Sequence, residues 1–250
     1  MFPKITKPKH KPTSKPNAKP TAVPIPSSST TPTSQSKTPD PLFFYGHTKG
    51  PYAFLSQHYA CTFTAPPLSL PLPNASATAS LPYPSSGESE HLTFHTTEQY
   101  MMYHKALLFN DASSAAQIIA TPNPGAQKAL GRKVVGFDEE VWKTYRSSIV
   151  EEGNWWKFLN GVSDAREQGD EGEVGLKGLR EKLLEMGTRE LVEASPWDRI
   201  WGVGFGRESA ERNRGRWGLN LLGKALMRVR ERLREEEGGL GGGDGDRKAD

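Results

Sequence analysis

A single cysteine, Cys61, in 250 residues excludes an intramolecular disulfide framework and fits a reducing compartment. Long apolar runs are missing as well, and no stretch approaches the roughly 18 residues that a membrane helix needs. The N-terminal region has neither the apolar core of a signal peptide nor the arginine and amphipathicity of a mitochondrial presequence. A cytoplasmic chain with no membrane partner is expected, and the lysines near its start are compatible with a nuclear location. Metal and cofactor signatures are scarce. His10, His47, His58, His91, His95, His104 and the lone cysteine give no HExxH or CxxC spacing, so no metal and no cofactor are expected. His91 and His95 are four apart in an apparent strand, where that spacing suits chelation less well than on a helix. There is no GxSxG elbow and no Walker loop. The string from Gly202 to Gly206 has alternating glycines but no strand-turn-helix context for a dinucleotide fold.

Hydrophobic residues are also short, at 35% against the roughly 45–50% of ordinary globular chains. The shortage is uneven. Residues 1–41 are rich in Pro, Ser, Thr and Lys and nearly lack large apolar side chains, so they are expected to be disordered. The glycine-rich run 238–250 reads the same way, leaving a folded body over 42–237. The net charge is +3, yet residues 1–40 hold seven lysines and one acid, Asp40. The basicity therefore belongs to the tail, and the body is slightly acidic. Such a tail reads as a solvating extension or as a weak contact for nucleic acid or anionic surfaces.

Within the body, strands are expected at 42–46, 61–64, 91–95 and 190–194, where apolar, aromatic or alternating residues gather. Residues 65–90 and 161–175 read as inserted loops. A helix is expected over 96–109, opened by a Thr96/Gln99 capping box. Asp111 caps a second helix through Ile119, and Asn123-Pro124 starts a third that ends near Gly131. Asp138 caps a fourth, carrying Val141, Trp142, Tyr145, Ile149 and Val150, which Gly153 is expected to interrupt. A helix over 176–186 stops at Gly187. A glycine- and aromatic-rich loop follows at 195–206. The last helix, 219–237, buries a stripe of Leu222, Leu226, Val229 and Leu233.

On the helix from Thr96, Glu98 and Lys105 lie seven residues apart. At roughly 100° per residue they share one face, two turns and about 10 Å apart. With Met101, Met102 and Tyr103 beside them they could line a pocket; the alternative is a solvated pair on an amphipathic helix. Trp142, Glu193, Asp198, Trp201 and Asn220 are the other chemistry-bearing residues. Carboxylates serve acid/base or oxocarbenium-stabilising roles, aromatic rings stack on a base, and glycines admit a ligand close to the backbone. Composition alone leaves enzyme and binding module equally open, and each tryptophan also has a core reading.

In this order the motifs resemble the NADAR family, which includes the riboflavin-biosynthesis-intermediate N-glycosidases. The resemblance rests on the run from Thr97-Glu98-Gln99-Tyr100 to His104-Lys105-Ala106, on Leu130-Gly131-Arg132, Trp142 and Lys157-Phe158, and on the runs at 191–204 and 218–230. The family's early S-N-F element stands here as Ser56-Gln57-His58. The resemblance implies an α+β, mainly helical, single compact domain with small β elements and disordered tails. It implies hydrolysis of the N-glycosidic bond of a ribosylamino-pyrimidine phosphate or related nucleotide. The alternatives it leaves are an ADP-ribosyl hydrolase acting on modified guanine, with ADP-ribosylated nucleic acid as a partner, and a non-catalytic ADP-ribose or nucleotide-binding module. Carried over, Glu98, Asp198 and Lys105 would be catalytic, and Phe44, Arg132, Trp142, Trp201, Gly202, Gly204 and Asn220 would bind substrate. Glu98 or Asp198 would orient water or stabilise the oxocarbenium ion while the other protonates the leaving nitrogen, and a desolvated Lys105 would trap a ring-opened sugar as a Schiff base. The tryptophans would stack on the base or bracket the ribose, and Arg132 would hold a phosphate.

Overall fold

Every residue from Thr97 to Ala106 is buried, so the helix α1 (Thr97–Leu108) runs through the middle of the molecule. The computed structural model describes residues 39–71, 78–80, 91–163 and 178–240. The expected N-terminal tail, most of the two inserted loops and the end of the glycine-rich tail lie outside the described residues. The capping box forms with a shift of one residue. Thr96 Oγ1 accepts from the Gln99 N–H at 3.0 Å, while Gln99 Oε1 accepts from the His95 N–H at 2.8 Å. The Gln99 amide also donates to the Ile118 and Ile119 carbonyls, tying the start of α1 to the end of α2 (Ala112–Ile119). α3 (Pro124–Gly131) and α4 (Glu139–Asn160) complete the jacket around α1. Enclosure of this kind overturns the solvated reading of the acid and base on α1: Glu98 is 2% exposed and Lys105 9%.

The caps at Asp111, Asn123 and Asp138 all form, each side chain accepting from the N–H three residues on. Gly153, in contrast, does not interrupt α4, which continues unbroken to Asn160. A β-carbon on Gly153 would sit 2.6 Å from Tyr100 Cδ1. The glycine is the site of closest approach between α4 and α1, and the packing it permits outweighs its helix cost of roughly 0.5–1 kcal/mol.

Among the described residues the strands form three small sheets. β1 (Leu42–Phe44) pairs in parallel with β7 (Leu191–Glu193), placing Phe44 opposite Glu193. β2 (Cys61–Ala65) lies between β5 (Leu92–Phe94) and β6 (Val162–Ser163), antiparallel to both. The expected structureless loop at 65–90 instead contains a hairpin of β3 (Ser69–Pro71) and β4 (Thr78–Ser80). Its strands satisfy each other's backbone groups, so the pairing needs no hydrophobic period to announce it. A short α5 (Leu179–Leu184) stops before Gly187, which has φ +59. Beyond β7 come α6 (Arg207–Ala210), a 3₁₀ turn at Glu211–Arg216, and α7 (Leu221–Leu240). α7 runs three residues past its expected end. Its stripe of Leu222, Leu226, Val229 and Leu233 is fully buried against α4, α5 and β7. Among the described residues no helix is long and apolar enough to cross a membrane.

Candidate active site

Glu98 occupies the first turn of α1, where the positive end of the helix dipole favours a carboxylate. Its own N–H and the Thr97 hydroxyl both donate to the Gln57 carbonyl, at 2.9 and 3.2 Å. On the other side, the buried Lys157 of α4 donates to the Ser56 carbonyl at 3.0 Å. The turn Ser56-Gln57-His58 is thereby sewn to two helices at once. Its last residue, His58, presents Nε2 at 3.4 Å from Glu98 Oε2.

The facing wall comes from β7 and the loop after it. Glu193 ends the strand, and the Asn220 side chain braces it by accepting from the Glu193 N–H at 3.0 Å and donating to the Leu191 carbonyl at 2.9 Å. Asp198 Oδ1 accepts from the N–H groups of Ile200 and Trp201, at 2.7 and 2.8 Å, and so fixes the turn that carries Trp201. Burial raises the Glu193 pKa, and the charges of Asp198 and, further off, Glu98 add to it against Lys128, bringing it to about 8. At neutral pH Glu193 is therefore largely a neutral acid with a proton to give.

Lys105 closes the floor. Its Nζ donates to the Gly131 carbonyl at 2.8 Å and lies 4.1 Å from the Phe137 ring centroid and 5.5 Å from that of Trp142. Burial lowers its pKa, opposed by the charge of Glu139. Gly131 leaves no room for a β-carbon because Met102 packs directly upon it, which lets α3 approach α1 closely enough to share the cleft. The cleft encloses ≈ 150 Å³, and ≈ 630 Å³ counting its open mouth. Three buried oxygens of its lining residues, Gln57 Oε1, Glu98 Oε1 and Glu193 Oε2, have no hydrogen-bond partner among the described residues. Acceptors held this way are costly unless a bound group donates to them.

Of the residues expected at the site, Glu98, Lys105, Arg132, Trp142, Asp198 and Trp201 all line this one cleft. Gly202, Gly204, Asn220 and Phe44 do not. Gly202 packs against the backbone of Glu193, where a β-carbon would stand 2.7 Å from the carbonyl oxygen, and Gly204 packs against the Arg199 side chain. Asn220 sits behind the wall as the brace of β7. Phe44 lines a second cleft with Tyr45, Lys49, Tyr52 and Arg207. Among the lining residues that the expected site omits are Gln57, His58, Lys128 and Glu193. Glu193 had been singled out by residue type alone. The departure of Ser56-Gln57-His58 from the S-N-F pattern was the available signal for the first two, and nothing local marked Lys128.

Comparison with known proteins adds three findings and a family. The model of the NADAR domain matches residues 43–234. A protein of Acanthamoeba polyphaga mimivirus named as an N-glycosidase is 38% identical over 144 residues, covering 57% of this chain and 76% of its own. The Caenorhabditis elegans protein irg-1 is 35% identical over 146 residues, covering 57% of this chain and 62% of its own. A Nostoc punctiforme protein, also named as an N-glycosidase, is 32% identical over 139 residues, covering 56% of this chain and 74% of its own.

Proposed function

The chain belongs to the NADAR domain family, and on that footing we propose that it is a hydrolase of N-glycosyl bonds acting on a ribosylamino-pyrimidine phosphate or a related nucleotide. The observation that carries the reading is the pairing, across one cleft, of a carboxyl that holds its proton with a carboxylate at a helix N-terminus. Glu193 has its pKa raised to about 8, and Glu98 faces it from the start of α1. Cleavage of a C–N bond needs a proton delivered to a poor leaving nitrogen and negative charge beside the anomeric carbon, and two such carboxyl groups supply both. The two relatives named as N-glycosidases support the bond type.

Each residue then has a defined task. Glu193 gives its proton to the departing nitrogen. Glu98 stabilises the cationic sugar and takes a proton from the attacking water. Burial keeps Glu193 protonated, and Asp198 adds its charge to that effect and holds Trp201 in place. Trp142 and Trp201 bracket the base or the ribose, while Lys128 and Arg132 at the cleft meet a phosphate. Gln57, Glu98 and Glu193 offer unpaired oxygens to sugar hydroxyls and amino groups. Lys105 favours a second route over the same groups. Its neutral amine adds to the imine of a ring-opened glycosylamine, and the original amine leaves taking a proton. Water then hydrolyses the resulting lysine Schiff base to the free sugar and the lysine amine.

The deciding experiment is incubation with a ribosylamino-pyrimidine phosphate and, in parallel, with ADP-ribosyl-guanosine, followed chromatographically. Release of free base or amine, abolished in a folded Glu98→Gln variant, is expected. Binding of either compound without release would make the protein a nucleotide-binding module instead.

A further inference from the structure

The turn Ser56-Gln57-His58 departs from the family's S-N-F pattern at its last two positions, and the structure holds the departing histidine against a carboxylate of the cleft. His58 Nε2 lies 3.4 Å from Glu98 Oε2, with the histidine side chain 27% exposed and the glutamate 2%. Three bonds fix that juxtaposition. Lys157 Nζ donates to the Ser56 carbonyl, and the Glu98 N–H and Thr97 hydroxyl donate to the Gln57 carbonyl. The two residues that precede the imidazole are thus pinned to α4 and α1, which sets its ring beside the acid. On its outer side the ring of His47 lies 5.5 Å away, centroid to centroid, and His47 is exposed. Other titratable groups also face the cleft from the far wall and from α3, namely Glu193, Asp198 and Lys128.

A buried carboxylate that takes a proton from water must lose it again before the next turnover. Glu98 has little solvent contact of its own, and its Oε1 has no partner among the described residues. We infer that His58 is the proton carrier of this site, receiving at Nε2 the proton that Glu98 takes from the attacking water and releasing it to solvent at the cleft mouth. A phenylalanine in the same place, as in the S-N-F form, has no atom able to do this. The inference rests on the N-glycosidase reading. In the hydrolytic step the water oxygen bonds to the anomeric carbon as the C–N bond breaks. The bonding pair leaves with the nitrogen, which takes the Glu193 proton. One water proton passes to Glu98 and on to the His58 imidazole, which discharges to solvent, and Glu193 recovers its proton from solvent.

The test compares full-length wild type, His58→Phe and His58→Ala with a ribosylamino-pyrimidine phosphate as substrate. Both variants keep a half-exposed position and should fold, which circular dichroism checks. Loss of the carrier is expected to lower kcat about tenfold or more with KM within about twofold, as general acid–base groups do. Added imidazole should restore part of the kcat of His58→Ala, a response that a purely structural histidine would not give. If wild type and His58→Phe turn over equally fast, or imidazole rescues nothing, the carrier role is wrong and the N-glycosidase reading stands. Absence of turnover in the wild type with both this compound and ADP-ribosyl-guanosine would overturn the two together.

Discussion

Asn220 holds Glu193 without touching the cleft. Its Oδ1 accepts from the Glu193 N–H and its Nδ2 donates to the Leu191 carbonyl, so one amide clasps both ends of β7. Asn220 does this from a left-handed backbone position, φ +49, which asparagine tolerates better than most residues. The acid that delivers the proton in the proposed reaction is therefore set by a residue lying outside the cleft lining.

Asn220→Ala should lower stability by about 2–4 kcal/mol, since two buried backbone groups lose partners and a β-carbon meets an unfavourable φ. Asn220→Asp, which keeps the acceptor and tolerates the backbone, should fall between alanine and wild type. Urea denaturation of the three proteins ranks them. Equal midpoints for alanine and wild type would mean that the clasp contributes nothing.

Glu193→Gln tests the raised proton affinity through stability. In the unfolded chain the group ionises near 4.5, and in the folded chain near 8. Between those values the folded state binds more protons, so wild-type stability falls as pH rises through the window and levels off above it. Glutamine mimics the protonated acid and removes that slope. The melting temperature of Glu193→Gln should match wild type near pH 5 and exceed it at pH 8. Hydrolysis should drop about 10²–10⁴-fold, the range for losing a general acid.

The second route predicts that Lys105 can be caught covalently. Borohydride added during turnover should leave a reduced sugar adduct on Lys105, seen as a mass increase of its peptide. Lys105→Arg keeps the charge and should show none. An unlabelled wild type that still turns over would leave direct attack by water as the sole route.

Gly153→Ala puts a β-carbon into the Tyr100 ring and should cost about 1–3 kcal/mol, the usual penalty for overpacking a core. Trp142 and Tyr100 sit on the two helices being forced apart, so substrate affinity should fall alongside the melting temperature. A variant as stable as wild type would show that α1 and α4 yield more easily than their contact suggests.

How much of this was legible in the chain depended on the range of the signal. The caps Thr96, Asp111, Asn123 and Asp138 are each written within four residues, and all four side chains cap their helices, with only the return arm of the Thr96 box displaced to the His95 N–H. The same holds for the buried stripe of α7, which is a matter of period. Gly153 misled because a glycine's helix cost is local while its benefit, Tyr100, lies 53 positions earlier in the chain. The β3–β4 hairpin escaped because backbone pairing leaves no side-chain pattern. At the cleft, the acid and base of α1 could be placed on one face from spacing alone. Glu193 could not be placed opposite them, because its position depends on the pairing of β7 with β1 and on the brace from Asn220. His58 depended on a turn fastened by Lys157, whose ammonium comes from a distant helix; burial there lowers its pKa to about 8.

The parallel pair β1–β7 has a consequence for how the enzyme comes into being. Leu42 meets Leu191, a contact spanning roughly 150 residues, the kind of non-local pairing that slows folding. As the chain leaves the ribosome, β1 emerges first and must wait unpaired while α1 to α4 are made and assemble. Only when β7 follows, and Asn220 after it, can the wall that carries Glu193 be raised against Glu98. A nascent chain halted before that point would hold a finished helical jacket and half a cleft, so activity should be acquired late in synthesis.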